Sequence, residues 1–240
     1  MEDRKEMAME AWESVDIVAF GAHPDDVEIG CAGILHRHVQ MGKRVLICDL
    51  TKAELSSNGN VELRQQEAAH AAEIIGAKRI NLGMADRGIV EDTDSIRKVV
   101  AVLRRYQPKL VLAPYWEDRH PDHMACYHLV YQAIFSATIR KFVVDDLPPH
   151  RVKQYFAYFI NQITTPSCLM DISQQWETKR AALLAYGSQF SAQPGTVSTP
   201  LNAGYLASLE GRERYFGSQL GVQYAEGLVS KNPLQLTQLV

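Results

Sequence analysis

The chain of 240 residues carries 46% hydrophobic and 22% charged side chains, a mixture that suits a globular protein with one sizeable core. A formal net charge of -3 offers no bulk attraction to phosphate backbones, so no nucleic-acid partner is expected. Four cysteines without a CxxC pair argue against a cysteine zinc site or a disulfide framework, and no apolar run is long enough to cross a membrane.

Residues 1 to 14 mix acids and bases around methionines and lack an apolar h-region. They read as an N-terminal extension and not as a signal peptide, and a cytoplasmic location is expected. Residues 15 to 240 contain no repeat, no low-complexity tract and no linker, and are taken as a single domain.

Apolar, β-branched runs at 15–20, 44–50, 79–82, 109–113 and 155–160 read as strands. Helical patterns separate most of them, at 28–41, 60–75, 94–106 and 123–137. Gly42 and Gly76 close the first two, and Pro108 limits the third. This alternation predicts a Rossmann-like α/β fold, a mainly parallel sheet with helices on both faces. In such sheets the working crevice lies beyond the carboxyl ends of the strands. Further on, 176–190 reads as a helix, 191–200 as a loop placed to act as a lid, 201–219 as a helix and 222–231 as an edge strand.

Two polar clusters follow predicted strand ends. The first is GAHPDD, residues 21 to 26, where Pro24 stiffens the turn that carries His23, Asp25 and Asp26. One of the two adjacent aspartates could bind a cation while the other stays free to take a proton. The second is EDRHPDH, residues 117 to 123, where Pro121 suits the first turn of a helix and His120 and His123 flank it. Either cluster alone could be a helix start with a polar cap. Together, on the same edge of one sheet, they favour a metal site. Two histidines and one carboxylate suit a catalytic Zn2+, and the same donors accept Fe2+, Co2+ or Mn2+. A dinucleotide-binding module is disfavoured, because GAHPDD stands where a GxGxxG would be needed.

The pair AHPDD and HPDH resembles the LmbE/PIG-L-like family of zinc-dependent N-acetylsugar deacetylases. The segments at 49–68, 114–123, 168–173, 186–190 and 212–231 are similar to its bacillithiol-biosynthesis branch, which removes acetate from N-acetylglucosaminyl malate. The resemblance implies His23, Asp26 and His123 as metal ligands and Asp25 as general base. It implies His120 as the group that assists the oxyanion, with Asp122 as its polar partner. It further places Arg64, in an E-x-R-x-x-E helix, and Tyr205 at the substrate, and it implies a homo-oligomer, a hexamer as in relatives of that branch.

The chain departs from the family pattern at Ala53-Glu54 and at Ser57-Asn58-Gly59-Asn60, which leaves the aglycone open. Arg64 could instead pair with Glu62 or Glu67 along its helix. Glu54 could bind sugar hydroxyls or cap a turn, and Arg119 could grip a carboxylate such as that of malate or lie in solvent. Tyr205 could belong to the core. Rival substrates are free GlcNAc and diacetylchitobiose, and a rival class is a metal-binding protein without catalysis.

Overall fold

The computed structural model describes residues 14–192 and 194–234, so all of the expected N-terminal extension but its last residue lies outside the described residues. Strands and helices alternate as β1 (Ile17–Gly21), α1 (Asp26–Gln40), β2 (Val45–Thr51), α2 (Val61–Ile75), β3 (Lys78–Met84), α3 (Thr93–Tyr106), β4 (Leu110–Pro114), α4 (Pro121–Ala137) and β5 (Gln154–Tyr158). The chain continues through β6 (Cys168–Asp171), α5 (Trp176–Leu184), α6 (Gly187–Phe190), α7 (Tyr205–Leu220) and β7 (Ala225–Val229). The sheet order is β3-β2-β1-β4-β5-β7-β6.

The first five strands are parallel, and every residue of β1 is buried, as expected of a strand covered on both faces. Its period-two alternation sends Val18 and Phe20 into the core beneath α3 and α4, and Ile17 and Ala19 into the core beneath α1 and α2. From β1 the chain winds outward to β2 and β3, then returns to β4 on the other side. The strand order therefore reverses between β1 and β4, and both polar clusters leave the sheet at that switch point.

The second half departs from the expectations. The helix expected over 176–190 breaks after Leu184, because fully buried Tyr186 turns inward to donate to Glu28 Oε1 at 3.0 Å. The last strand is not an edge: β7 lies between β5 and β6, antiparallel to both. The edge is β6, four half-buried residues with too little periodicity to register as a strand. Among the described residues all four cysteines are free, and no helix is long and apolar enough to cross a membrane.

Gly30 marks the closest packing of α1 on the sheet. A Cβ there would sit 1.9 Å from Cδ2 of Tyr158, whose hydroxyl is itself tied to Phe20 O at 2.7 Å. Gly30→Ala is expected to destabilise the fold by about 1–3 kcal/mol through overpacking. Urea denaturation checks this, with a lower midpoint and an unchanged m-value.

Candidate active site

Two hydrogen bonds from Thr51, through N and Oγ1, hold Ala22 O at 3.0 and 2.9 Å and fix the turn leaving β1. Asp26 opens α1, and its Oδ2 accepts from His23 N at 2.9 Å. Asp25 occupies the N-cap position but makes no capping bond, and its φ of 100° is rare outside glycine. Instead its carboxylate accepts from Arg64 Nη2 at 2.9 Å, and the same nitrogen reaches Pro24 O at 2.8 Å. The reading of GAHPDD as a simple capped turn therefore fails. Burial pushes the Asp25 carboxyl up to about 7, against the pull of the Arg64 charge.

The second cluster is built by α4. His120 is its N-cap and Pro121 its first residue, which turns His123 back toward β1. His123 Nε2 lies 3.1 Å from Asp26 Oδ1, and His123 Nδ1 lies 3.0 Å from Asp118 Oδ1. Asp118 also accepts from His120 N and from Asn161 N and Nδ2 at 2.8 to 3.0 Å. Burial opposes its ionisation, but the bond to His123 and these amides hold it well below the usual carboxylate range. His23 mirrors the arrangement: Nδ1 lies 3.5 Å from Asp26 Oδ2, while Nε2 lies 3.2 Å from Asp86 Oδ1 and 3.3 Å from Asp122 Oδ2.

Each of these histidines thus turns one nitrogen toward Asp26 and the other toward a carboxylate, the arrangement that orients metal-ligating imidazoles. One ring nitrogen from each of His23, His120 and His123 falls within 4.8 Å of the others. A nitrogen of His23 groups in the same way with oxygens of Asp86 and Asp122, and the imidazole and carboxylate donors gathered here, His120 and Asp86 half-buried and the others buried, fit a divalent cation. Burial works against charging His123, yet the Asp26 charge and the Asp118 bond raise it to about 9, and His23 is raised by Asp122, Asp26 and Asp86 in the same sense. Both shifts favour the charged imidazolium in the metal-free protein, and ligation through a ring nitrogen must expel the extra proton. Metal uptake at pH 7 is expected to release protons and to tighten as pH rises toward 9. Calorimetry in buffers of different ionisation enthalpy counts them, and uptake without proton release would be inconsistent with these shifts.

The expected pairing of His120 with the Asp122 carboxylate is corrected by the geometry. The backbone N–H of Asp122 donates to His120 Nδ1 at 3.2 Å, so this nitrogen is an acceptor and Nε2 carries the ring proton. Burial, with the His123 and His23 charges, lowers the pKa of His120, so the ring is neutral and not cationic. The Asp122 carboxylate faces His23 and is clamped by Arg87 N at 2.8 Å and Arg87 Nη1 at 2.7 Å.

Arg64 is buried against Asp25 and not paired along its helix surface, and among the described residues its Nε and Nη1 have no partner. Glu54 is also repositioned: Oε1 accepts from Asp86 N at 2.7 Å, so it anchors the turn that offers Asp86 to His23. Tyr205 starts α7, borders the cleft and donates its hydroxyl to Ile160 O at 2.9 Å. Arg119 is exposed at the rim.

The cleft holds about 610 Å³, in the range of small-molecule sites, and is lined by the three histidines, Asp25, Asp26, Asp86, Arg64, Arg119 and Tyr205 together with Ser56, Ser57 and Asn161. Thr199 and Pro200, from the expected lid loop, border it; residue 193 of that loop lies outside the described residues. Asn58 ties the loop down through its side-chain amide, donating to Val197 O at 2.9 Å and accepting from Val197 N at 2.8 Å. Three non-glycine residues with positive φ, Asp25, Ala53 and Arg87, line the same cleft, so backbone strain concentrates there.

Sequence reasoning missed Asp118, Asp86, Arg87 and Asn161. Asp118 stood inside the second cluster, where a carboxylate three residues before Pro121 was a usable signal. The other three sit in loops that only the folded chain brings to the histidines.

Residues 18–134, which span β1 to α4 and hold both clusters, match the family model PIG-L, described as GlcNAc-PI de-N-acetylase. The diacetylchitobiose deacetylase of Thermococcus kodakarensis is 29% identical over 227 residues, covering 88% of this chain and 81% of that protein. The 4-oxalmesaconate hydratase of Pseudomonas putida is 26% identical over 235 residues, covering 88% and 87% respectively. Among solved structures, a conserved protein from Thermus thermophilus superimposes with a TM-score of 0.86 at 37% identity, over 93% of this chain and 97% of that one.

Proposed function

Because the chain has the PIG-L/LmbE deacetylase fold, we propose that it is a metal-dependent amidohydrolase that removes the N-acetyl group of an N-acetylglucosaminide. One observation carries the reading: Asp26 is shared by His23 and His123 from two strand ends, beside a buried Asp25 that makes no capping bond. His23, Asp26 and His123 would hold the cation, Zn2+ by donor type with Fe2+ as the alternative, and it would supply an activated water and polarise the acetyl oxygen.

The chain's own residues supply the proton traffic. Asp25, whose pKa is raised toward neutrality, takes a proton from the attacking water and returns it to the departing amine. Arg64 holds Asp25 in its strained position. His120, neutral and protonated at Nε2, donates to the oxyanion. Asp122 and Asp86 orient His23, and Asp118 orients His123. Tyr205 borders the sugar site from the α7 side.

For the aglycone we favour a carboxylate-bearing group such as malate, which would place the enzyme in bacillithiol biosynthesis. Arg119 at the rim and the half-exposed Arg87 supply positive charge where an anionic aglycone would lie. The second reading is diacetylchitobiose, favoured by the similarity to the Thermococcus kodakarensis enzyme. Acetate release from N-acetylglucosaminyl malate, diacetylchitobiose and free GlcNAc separates the two. Arg119→Ala is expected to lower kcat/KM on the malate compound by about 10- to 100-fold, the worth of a charged hydrogen bond, and to spare the neutral disaccharide. Equal effects on both substrates would remove the anionic assignment. A homo-oligomer completes the proposal: Tyr131 and Phe135, one turn apart on α4, are 49% and 70% exposed, and light scattering tests for it.

A further inference from the structure

The helix that carries Asp26 is two pieces. Cys31 has φ -153° and ψ 17°, which breaks α1 after its first turn. In an unbroken helix Gly33 N–H would bond Ile29 O, and Ile34 N–H would bond Gly30 O. Here Glu226, from β7, takes both amides, with Oε1 3.0 Å from Gly33 N and Oε2 2.6 Å from Ile34 N. Ile29 O accepts instead from Lys179 Nζ at 2.9 Å and Arg212 Nη2 at 2.8 Å. Glu213 closes the group, accepting from Lys179 Nζ and Arg212 Nη2, both at 2.8 Å. Two cations and two carboxylates so replace the missing turn of backbone hydrogen bonds. Lys179 and Glu213 are fully buried, and Glu226 is 1% exposed.

Burying Lys179, Glu213 and Glu226, with the Arg212 guanidinium nearly covered beside them, costs hydration that apolar residues of similar volume would not, and such residues often stabilise a core as well or better. Stability alone is a poor account of the cluster; the backbone geometry it imposes is a better one. Arg212 extends that geometry to the other half of the site. Its Nη1 donates to Phe159 O at 3.0 Å and Ile160 O at 3.1 Å. The next residue, Asn161, holds Asp118, which orients His123. The turn bearing Asp26 and the loop supporting His123 are therefore gripped by one guanidinium.

We propose that the buried Lys179–Arg212–Glu213–Glu226 cluster is a positioning device for the metal site, setting Asp26 against His123 across the switch point. It rests on the metal-site reading above. The test uses the full chain with Zn2+ affinity measured by chelator competition, the Co2+ absorption spectrum of loaded protein, thermal stability, and kcat and KM for acetate release. Arg212→Met and Glu226→Gln are compared with Arg104→Met. Arg104 is also a buried guanidinium on backbone carbonyls, but it holds Ala137, Ile139 and Leu147 at the far end of α4. Arg212→Met and Glu226→Gln are expected to weaken Zn2+ binding by about 10- to 100-fold, to alter the Co2+ spectrum and to lower kcat more than they raise KM. Arg104→Met is expected to lower stability and leave Zn2+ affinity unchanged. Should Arg212→Met fail to fold, Arg212→Lys, which keeps the charge with fewer donors, carries the same expectation at smaller amplitude. Wild-type Zn2+ affinity in the cluster variants, or losses matched by Arg104→Met, would overturn the positioning role. Weakened Zn2+ binding in a protein that releases no acetate would sustain the positioning role and remove the deacetylase reading, whereas a wild-type chain that takes up no divalent cation would remove both.

Discussion

Asp25→Asn is expected to retain the wild-type metal content and to lose about 100- to 10,000-fold in kcat for acetate release. The carboxylate sits beside the residues that would hold the cation without pointing into their contacts: Asp26 meets both histidines, and Asp25 meets Arg64. Removing its basicity should therefore spare binding and remove proton transfer. Asparagine is the informative replacement. It tolerates a positive φ far better than alanine, and its amide oxygen can still accept from Arg64 Nη2. Alanine would strand the Arg64 charge in a buried site and mix a folding defect into the kinetics. Metal analysis beside steady-state kinetics checks the expectation. Near-wild-type turnover in Asp25→Asn would move the general base elsewhere.

His123→Ala should have the larger effect on metal and abolish activity as a consequence. It removes the nitrogen 3.1 Å from Asp26 Oδ1 and leaves Asp26 and Asp118 as buried carboxylates without their shared imidazole. Metal binding should then fall below detection at micromolar concentrations, and added metal should not restore turnover. Asp118→Asn provides the graded comparison. It preserves shape but weakens the hold on His123 Nδ1, so affinity should fall by about 10- to 100-fold and excess metal should restore turnover. If both variants responded alike to added metal, His123 would not be a ligand.

The alternating half of the fold was legible because buried parallel strands make nearly continuous apolar runs. The residues of β1, β2 and β4 do so, and glycines or prolines punctuate their helices. The later half was not, because its elements answer to tertiary demands. Tyr186 breaks a helix to reach Glu28, and Glu226 sits in a strand to serve a broken helix on another layer. Such a carboxylate looks in sequence like any solvent-facing strand residue. The two clusters were readable as a pair since each places its histidines in the segment that leaves a strand end, before or at the start of the next helix. The correction at His120 turned on a backbone N–H, which side-chain identities do not encode. Asp86 and Arg87 come from the turn after β3, more than thirty residues from either cluster's partners, with no motif around them. The Ser57–Asn60 departure gained a physical account only from the fold: Asn58 fastens the loop at Val197, and Asn60 caps α2 by accepting from Leu63 N.

The proposed function requires GAHPDD and EDRHPDH to form one metal-dependent hydrolytic site. Acetate release from an N-acetylglucosaminide by wild-type protein, measured before chelation, after chelation and after return of Zn2+, tests it most directly. Turnover is expected to be lost with the metal and recovered with it. Turnover indifferent to chelation, or none from metal-loaded protein on any member of the substrate panel, would contradict it.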